Sequence, residues 1–148
     1  MLLKPCYRPC LVFLAAAFLL GAGRPAAPQD PESTWDDGQT GLTWAVRDNG
    51  EDVSWNQARE YCANLQLGGA TDWRLPTVDE LKTLFDRSQS KPYKAKGPIE
   101  LGMPGIWSSS TNNSGDVWSF NFSYGGKSLS PTSGCNSAGR ALCVRPTD

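Results

Sequence analysis

The fourteen residues from Asp72 to Phe85, Asp-Trp-Arg-Leu-Pro-Thr-Val-Asp-Glu-Leu-Lys-Thr-Leu-Phe, constrain the fold more than any other stretch of the chain. Pro76 has no backbone N–H and biases Leu75 away from helix, so residues 72–75 read as a short extended segment. Thr77 supplies a hydroxyl to cap a helix start, and Glu80, three residues on, completes a capping box. Leu81, Leu84 and Phe85 follow at helical spacing, which predicts one buried face on a short helix. Trp73 and Leu75 are core candidates. Arg74 is expected to pair with Asp79 or Glu80 rather than to hold a ligand. The block specifies structure and brings no chemistry with it.

The first residues have a different character. Lys4 and Arg8 precede an apolar run over residues 11–20, and Gly21-Ala22-Gly23 follow it. This pattern predicts a signal peptide over residues 1–23, cleaved after Gly23. Ten apolar residues are too few to cross a bilayer, so no membrane span is expected once the signal is removed. Cys10 precedes the apolar run and does not stand where a lipoprotein cysteine would. The expected product is secreted, or periplasmic and associated with the cell envelope. Residues 24–33, with Pro25, Pro28 and Pro31, read as a linker. Residues 34–148 are then one domain, long enough for a single core.

Loss of Lys4 and Arg8 with the signal takes the formal charge from −1 to −3. Twelve acidic and four basic residues lie in 30–86; three acidic and seven basic lie in 87–148. That density of basic charge is too low for a nucleic-acid partner. It leaves a mildly basic second half that could offer a face to anions.

Residues 34–36 and 42–46 read as two short strands joined by a turn containing Gly38 and Gly41, with Trp35, Leu42 and Trp44 as core candidates. Residues 48–52 form an acidic turn without the ligand spacing of an EF-hand loop. Ser54 caps a second helix, with Gln57 at the capping-box position, and Trp55, Ala58, Cys62 and Leu65 mark its buried stripe. Gly68-Gly69 is expected to end that helix. Residues 87–105 carry Lys91, Lys94, Lys96, Tyr93 and a single acid, Glu100, and are interrupted by Pro92, Pro98 and Pro104. Such a long loop is either functional or a solvated, disordered connection.

From Ile106 the chain reads as strands. Residues 105–110 lead into a polar loop over 111–115. Residues 117–124 then alternate, with Trp118, Phe120, Phe122 and Tyr124 on one face. The aromatic ladder is expected to be core, with its ends able to line a groove. Gly125-Gly126 predicts a two-residue hairpin turn returning through 127–130, and residues 140–145 a closing strand.

The chain has no histidine, which excludes a Ser-His-Asp or Cys-His catalytic unit and any His-ligated zinc. Cys62, Cys135 and Cys143 follow the signal and include no CxxC pair. Export permits disulfides. A bridge between Cys62 and Cys143 would tie the ends of the domain together and leave Cys135 free or paired between chains. No Gly-rich phosphate loop is present, so the residues give little support to an enzyme, and no cofactor is expected.

Several segments together carry a family resemblance. They are Thr40-Gly41-Leu42-Thr43-Trp44, Trp55-x-x-Ala58 running to Tyr61-Cys62, Leu67-Gly68-Gly69, and Asp72-Trp73-Arg74-Leu75-Pro76-Thr77 with Glu80-Leu81. Trp107-Ser108-Ser109, Trp118-x-Phe120-x-Phe122 with Gly126, and Cys143-Val144-Arg145 continue the pattern. The chain resembles the Lcl C-terminal domain family. That resemblance implies an α+β, C-type-lectin-like fold, related to the formylglycine-generating enzymes. Two short helices would flank irregular antiparallel sheets, with the N- and C-termini close together. It also implies a bridge from the first helix to the last strand, and Cys62 and Cys143 fit those places.

The calcium motifs of C-type lectins, Glu-Pro-Asn or Gln-Pro-Asp and Trp-Asn-Asp, do not occur in the sequence. Cys135 and Cys143 are eight apart, unlike the close cysteine pair of the formylglycine-generating enzymes. The expectation is therefore a calcium-independent binding or adhesion module for surface glycans or acidic polysaccharides, which some relatives bind. Alternatives are an envelope protein–protein interaction domain and a degenerate enzyme of the formylglycine-generating type. The candidate ligand surface is Lys91, Tyr93, Lys94, Lys96, Trp107, Asn112, Asn113 and Trp118, since aromatic rings cover apolar sugar faces while amides bond hydroxyls.

Overall fold

A computed structural model describes residues 33–131 and 139–148. Residues 1–23, expected to be a signal peptide, nearly all of the expected linker, and Cys135 lie outside the described residues. Within them the order is β1 (Thr34–Asp37), β2 (Leu42–Ala45), α1 (Trp55–Ala63), α2 (Val78–Leu84), β3 (Gly105–Thr111), β4 (Val117–Asn121), β5 (Gly126–Ser130) and β6 (Val144–Pro146). The strands form two antiparallel three-stranded sheets, ordered β1-β2-β6 and β3-β4-β5. The fold is α+β, and its first and last strands flank the same partner, β2.

Both helices start as their sequences predict. Ser54 and Gln57 bond reciprocally at the start of α1, and Thr77 and Glu80 do so at the start of α2. Glu80 does more than cap. Arg74 donates to its two carboxylate oxygens at 2.8 and 2.7 Å, which fixes the extended segment before Pro76 against the helix after it. Arg74 itself exchanges backbone bonds with Val144, so this segment is also bound to the last strand.

β3 separates two clusters of buried side chains. On one side Ile106 joins Phe120, Phe122, Leu81, Leu84 and Trp44 beneath α2. On the other side Trp107 joins Ala58, Trp73, Leu75 and Val117 beneath α1. Pleat alternation in β3 accounts for the split, since neighbouring residues face opposite ways. Burying one such aliphatic side chain contributes roughly 1.5–3 kcal/mol, so the two clusters hold most of the stability. The Cys62–Cys143 disulfide lies in the second cluster, with Cα atoms 5.4 Å apart and a sequence separation of 81.

Four expectations need correction. Helix α1 ends at Ala63 with Asn64 as its cap; Gly68 and Gly69 instead form a later tight turn in which Leu67 and Ala70 exchange backbone bonds. The hairpin between β4 and β5 is not closed by two glycines. Phe122 donates its N–H to Pro104 and is drawn into the core, so the turn takes residues 122–125 and Asn121 pairs with Gly126. Gly125 serves that turn with φ of 77°, and a side chain there would collide with the Phe85 ring. As a result the alternation breaks and Tyr124 is 60% exposed. The closing strand is shortened to β6, because residues 141–143 bond to the segments around Ala45 and Asn49 rather than continuing a ladder.

The fourth correction concerns the proline-rich loop. It is neither a solvated nor a disordered connection. Ala95 and Ile99 are fully buried, and the backbone N–H groups of Lys94, Lys96 and Glu100 donate to Phe122, Leu84 and Val46. Prolines exclude regular structure here, yet the chain still finds partners for its backbone groups.

Candidate functional site

The eight candidate ligand residues fall into groups that β4 holds apart. Tyr93, Lys94 and the backbone of the proline-rich loop meet the chain at Phe122, just beyond the Asn121 end of β4. Asn112 and Asn113 sit in the β3–β4 connection, at the Val117 end. A strand rises about 3.3 Å per residue, so about 13 Å of β4 lies between the two ends. The structure does not gather the eight residues into one pocket.

Trp107 is not at the surface at all. It is 4% exposed, its indole N–H donates to Val53 O at 2.9 Å, and its ring belongs to the cluster around the disulfide. Asn112 is occupied in its own turn: its oxygen accepts from the N–H groups of Ser114 and Asp116, and its amide donates to the Asp116 carboxylate, each at 2.9 Å. Asn113 beside it is exposed. Tyr93 is half-buried against the first cluster.

Two of the three loop lysines have structural partners. The Lys91 ammonium donates to the carbonyls of Gly97 and Ile99, the latter at 3.2 Å. Lys94 donates to Gln89 O at 2.9 Å. Lys96 has one long contact, 3.5 Å to Gln39 Oε1. Its charge also acts on Asp86, whose pKa falls to about 2, chiefly because Gln89 and Ser88 bond to the carboxylate. These lysines are not three free cations on one face.

Trp118 has a different setting. It pairs across the ladder with Leu129 of β5, and the Lys127 ammonium lies 4.5 Å from the centre of its ring. Leu129 is 41% exposed. Lys127 and Leu129 alternate on β5, on the face that carries Trp118, so ring, cation and aliphatic side chain form one surface. Lys127 escaped the sequence reading because its neighbours depend on hairpin register, which the misplaced turn obscured. Tyr124 escaped because strict alternation would have buried it.

The acidic turn is held by a cation from the protein. Asp48 Oδ1 accepts from Gly50 N–H at 2.9 Å and from Arg140 Nη1 at 3.2 Å, while Oδ2 accepts from Gly102 N–H at 2.6 Å. Arg140 Nε lies 3.5 Å from Asp52 Oδ1. Among the described residues no group of three or more His, Cys, Asp or Glu could hold a metal ion. No helix among them is long and apolar enough to cross a membrane.

Two capped helices, two small antiparallel sheets and a bridge from the first helix to the chain's last segment define a compact disulfide-tied α+β domain. The chain belongs to the Lcl C-terminal domain family, whose model matches residues 33–145. Comparison with curated proteins gives no match.

Proposed function

We propose that this domain is an exported, calcium-independent binding or adhesion module with a C-type-lectin-like fold, and that its ligand is an acidic surface glycan or polysaccharide. The observation that carries the reading is the Trp118–Lys127 pair, an indole ring and an ammonium group side by side on one sheet face. An indole covers the apolar face of a sugar, and an ammonium pairs with a carboxylate or sulfate. An exposed cation–π contact is worth about 0.5–1 kcal/mol, so Lys127 can swing to an acidic sugar at small cost and uncover the part of the half-buried ring that does not pack against the first cluster. Calcium independence is supported by Arg140, which already supplies positive charge to the acidic turn. Export rests on the residue pattern of 1–23. The lectin-like fold is supported by the helix-to-terminus disulfide and by β1 and β6 flanking β2.

Catalysis of the formylglycine-generating type is disfavoured because Cys143 is buried and bonded to Cys62. Docking of an envelope protein is the second reading, and exposed Leu129 on β5 favours it. The test is affinity for a sulfated polysaccharide and a uronic-acid polymer, measured for the wild type, Lys127→Ala and Trp118→Ala. Loss of binding in both variants with unchanged circular dichroism supports the glycan reading. Failure of the wild type to bind either polymer would return the Trp118 face to protein docking.

A further inference from the structure

A separate cleft of about 710 Å³ lies between α1, the end of β2 and the proline-rich loop, on the opposite sheet from Trp118. Leu65, Leu67 and Pro98 supply apolar wall, while Tyr61, Arg47 and Glu100 supply polar groups. The volume falls within the range of small-ligand sites.

The unspent hydrogen-bonding capacity of this cleft is what identifies a ligand class. Arg47 Nε lies 3.2 Å from Glu100 Oε2 with both side chains largely in solvent, which leaves other guanidinium N–H groups and the second carboxylate oxygen available. A donor and an acceptor held side by side match a vicinal diol, in which each hydroxyl both accepts and donates. The backbones beneath this pair are fixed to each other, since Glu100 N–H donates to Val46 O at 2.8 Å. Tyr61 is 40% exposed, and its hydroxyl has no hydrogen-bond partner among the described residues. Burial and the nearby Asp48 carboxylate push that phenol's pKa up, so it remains protonated and can donate as well as accept.

Charge then narrows the class. Arg47 pairs with Glu100, and Asp48, which also lines the cleft, pairs with Arg140 outside the lining. No net positive charge remains in the cleft to attract an anion, which separates this site from the cationic Trp118 face. We infer that the cleft between α1 and the proline-rich loop binds a neutral pyranose unit, with its apolar ring face against Leu65, Leu67 and Pro98 and its hydroxyls on Tyr61 and the Arg47–Glu100 pair. This inference does not depend on the acidic-glycan reading.

The experiment is a titration of the protein, followed by amide NMR shifts, with glucose, galactose, N-acetylglucosamine and their β-linked disaccharides, and with glucuronic acid as the charged control. At least one neutral sugar should give saturable shifts at Arg47, Leu65, Leu67 and Glu100, with glucuronic acid weaker there. Tyr61→Phe and Glu100→Gln should each weaken that binding about tenfold with unchanged melting, since the first removes the hydroxyl and the second turns one acceptor oxygen into a donor, neither removing a packing contact. Absence of saturable shifts for every neutral sugar would overturn the inference. So would undiminished affinity in both variants, or glucuronic acid binding the cleft as tightly as the neutral sugars.

Discussion

Arg140 Nη1 donates to Asp48 Oδ1 at 3.2 Å across 92 residues of sequence. The Asp48 side chain is 4% exposed and accepts from two backbone N–H groups besides the guanidinium. The pair fixes the acidic turn to the segment that leads into the disulfide.

Removing one partner of a buried ion pair strands the other charge, which costs about 3–5 kcal/mol. Arg140→Ala is therefore expected to lower the unfolding free energy by an amount in that range. Calcium should leave the wild-type melting temperature unchanged, because hard cations need about six to eight oxygen ligands and this turn's carboxylates face a guanidinium. Thermal unfolding with calcium and with chelator checks both statements. A rise with calcium that chelator reverses would contradict the second.

Glu80 predicts a pH dependence. Its carboxylate is held below the usual range, first by hydrogen bonds from Arg74 and then by the Thr77 N–H, against an opposing effect of burial. A carboxylate with a lowered folded-state pKa stabilises the fold above its unfolded value, here 4.5, and that stability is lost as pH falls through the folded value. Asp72 and Asp86 are shifted in the same direction. Urea midpoints should therefore be flat above about pH 5 and fall in more acidic solution. Glu80→Gln should be less stable at neutral pH and show a shallower acid decline; an identical decline would remove Glu80 from the account.

The sequence discloses local structure well and cross-chain structure poorly. Both capping boxes, the extended segment before Pro76 and the buried stripe of α1 were legible, because each rests on residues within a few positions of one another. The β4–β5 turn was not, because Phe122 leaves the strand to meet Pro104, a partner remote in sequence. The roles of Lys91 and Lys94 are hidden for a different reason: their carbonyl partners Gly97, Ile99 and Gln89 are close in sequence, but the proline-interrupted segment has no regular period from which to place them. Trp107 and Trp118 are alike as letters, yet they lie in different surroundings, one buried beneath α1 and the other beside Lys127.

The Cys62–Cys143 bond should be found by non-reducing peptide mapping of the folded protein. Both cysteines are buried, so the folded protein should resist mild reductant. Closing a loop of this length constrains the unfolded chain by roughly 4 kcal/mol in the entropy model. Replacing both cysteines by serine should lower stability by about that amount, read as a fall in the urea midpoint with a steeper slope, because the unlinked unfolded chain exposes more surface. A Cys135–Cys143 linkage in the peptide map would contradict the arrangement.

The lysines should separate into structural and surface groups. Lys91 and Lys94 bond loop carbonyls, whereas Lys127 lies over Trp118 on an exposed strand. Lys91→Ala and Lys94→Ala each remove a charge-assisted hydrogen bond from a partly buried loop, and should cost about 1–2 kcal/mol of stability. Lys127→Ala should change stability by about 1 kcal/mol or less, the worth of an exposed cation–π contact. Affinity for an acidic polymer should show the reverse order, with Lys127→Ala the most damaging and Lys91→Ala nearly neutral. Wild-type binding should also weaken as salt rises, since exposed charges are screened over about 8 Å at physiological ionic strength. Urea unfolding of the three variants, with polymer affinity at low and high salt, measures both orders together. If Lys91→Ala abolished binding without loss of stability, the ligand surface would have to be moved from the Trp118 face to the proline-rich loop.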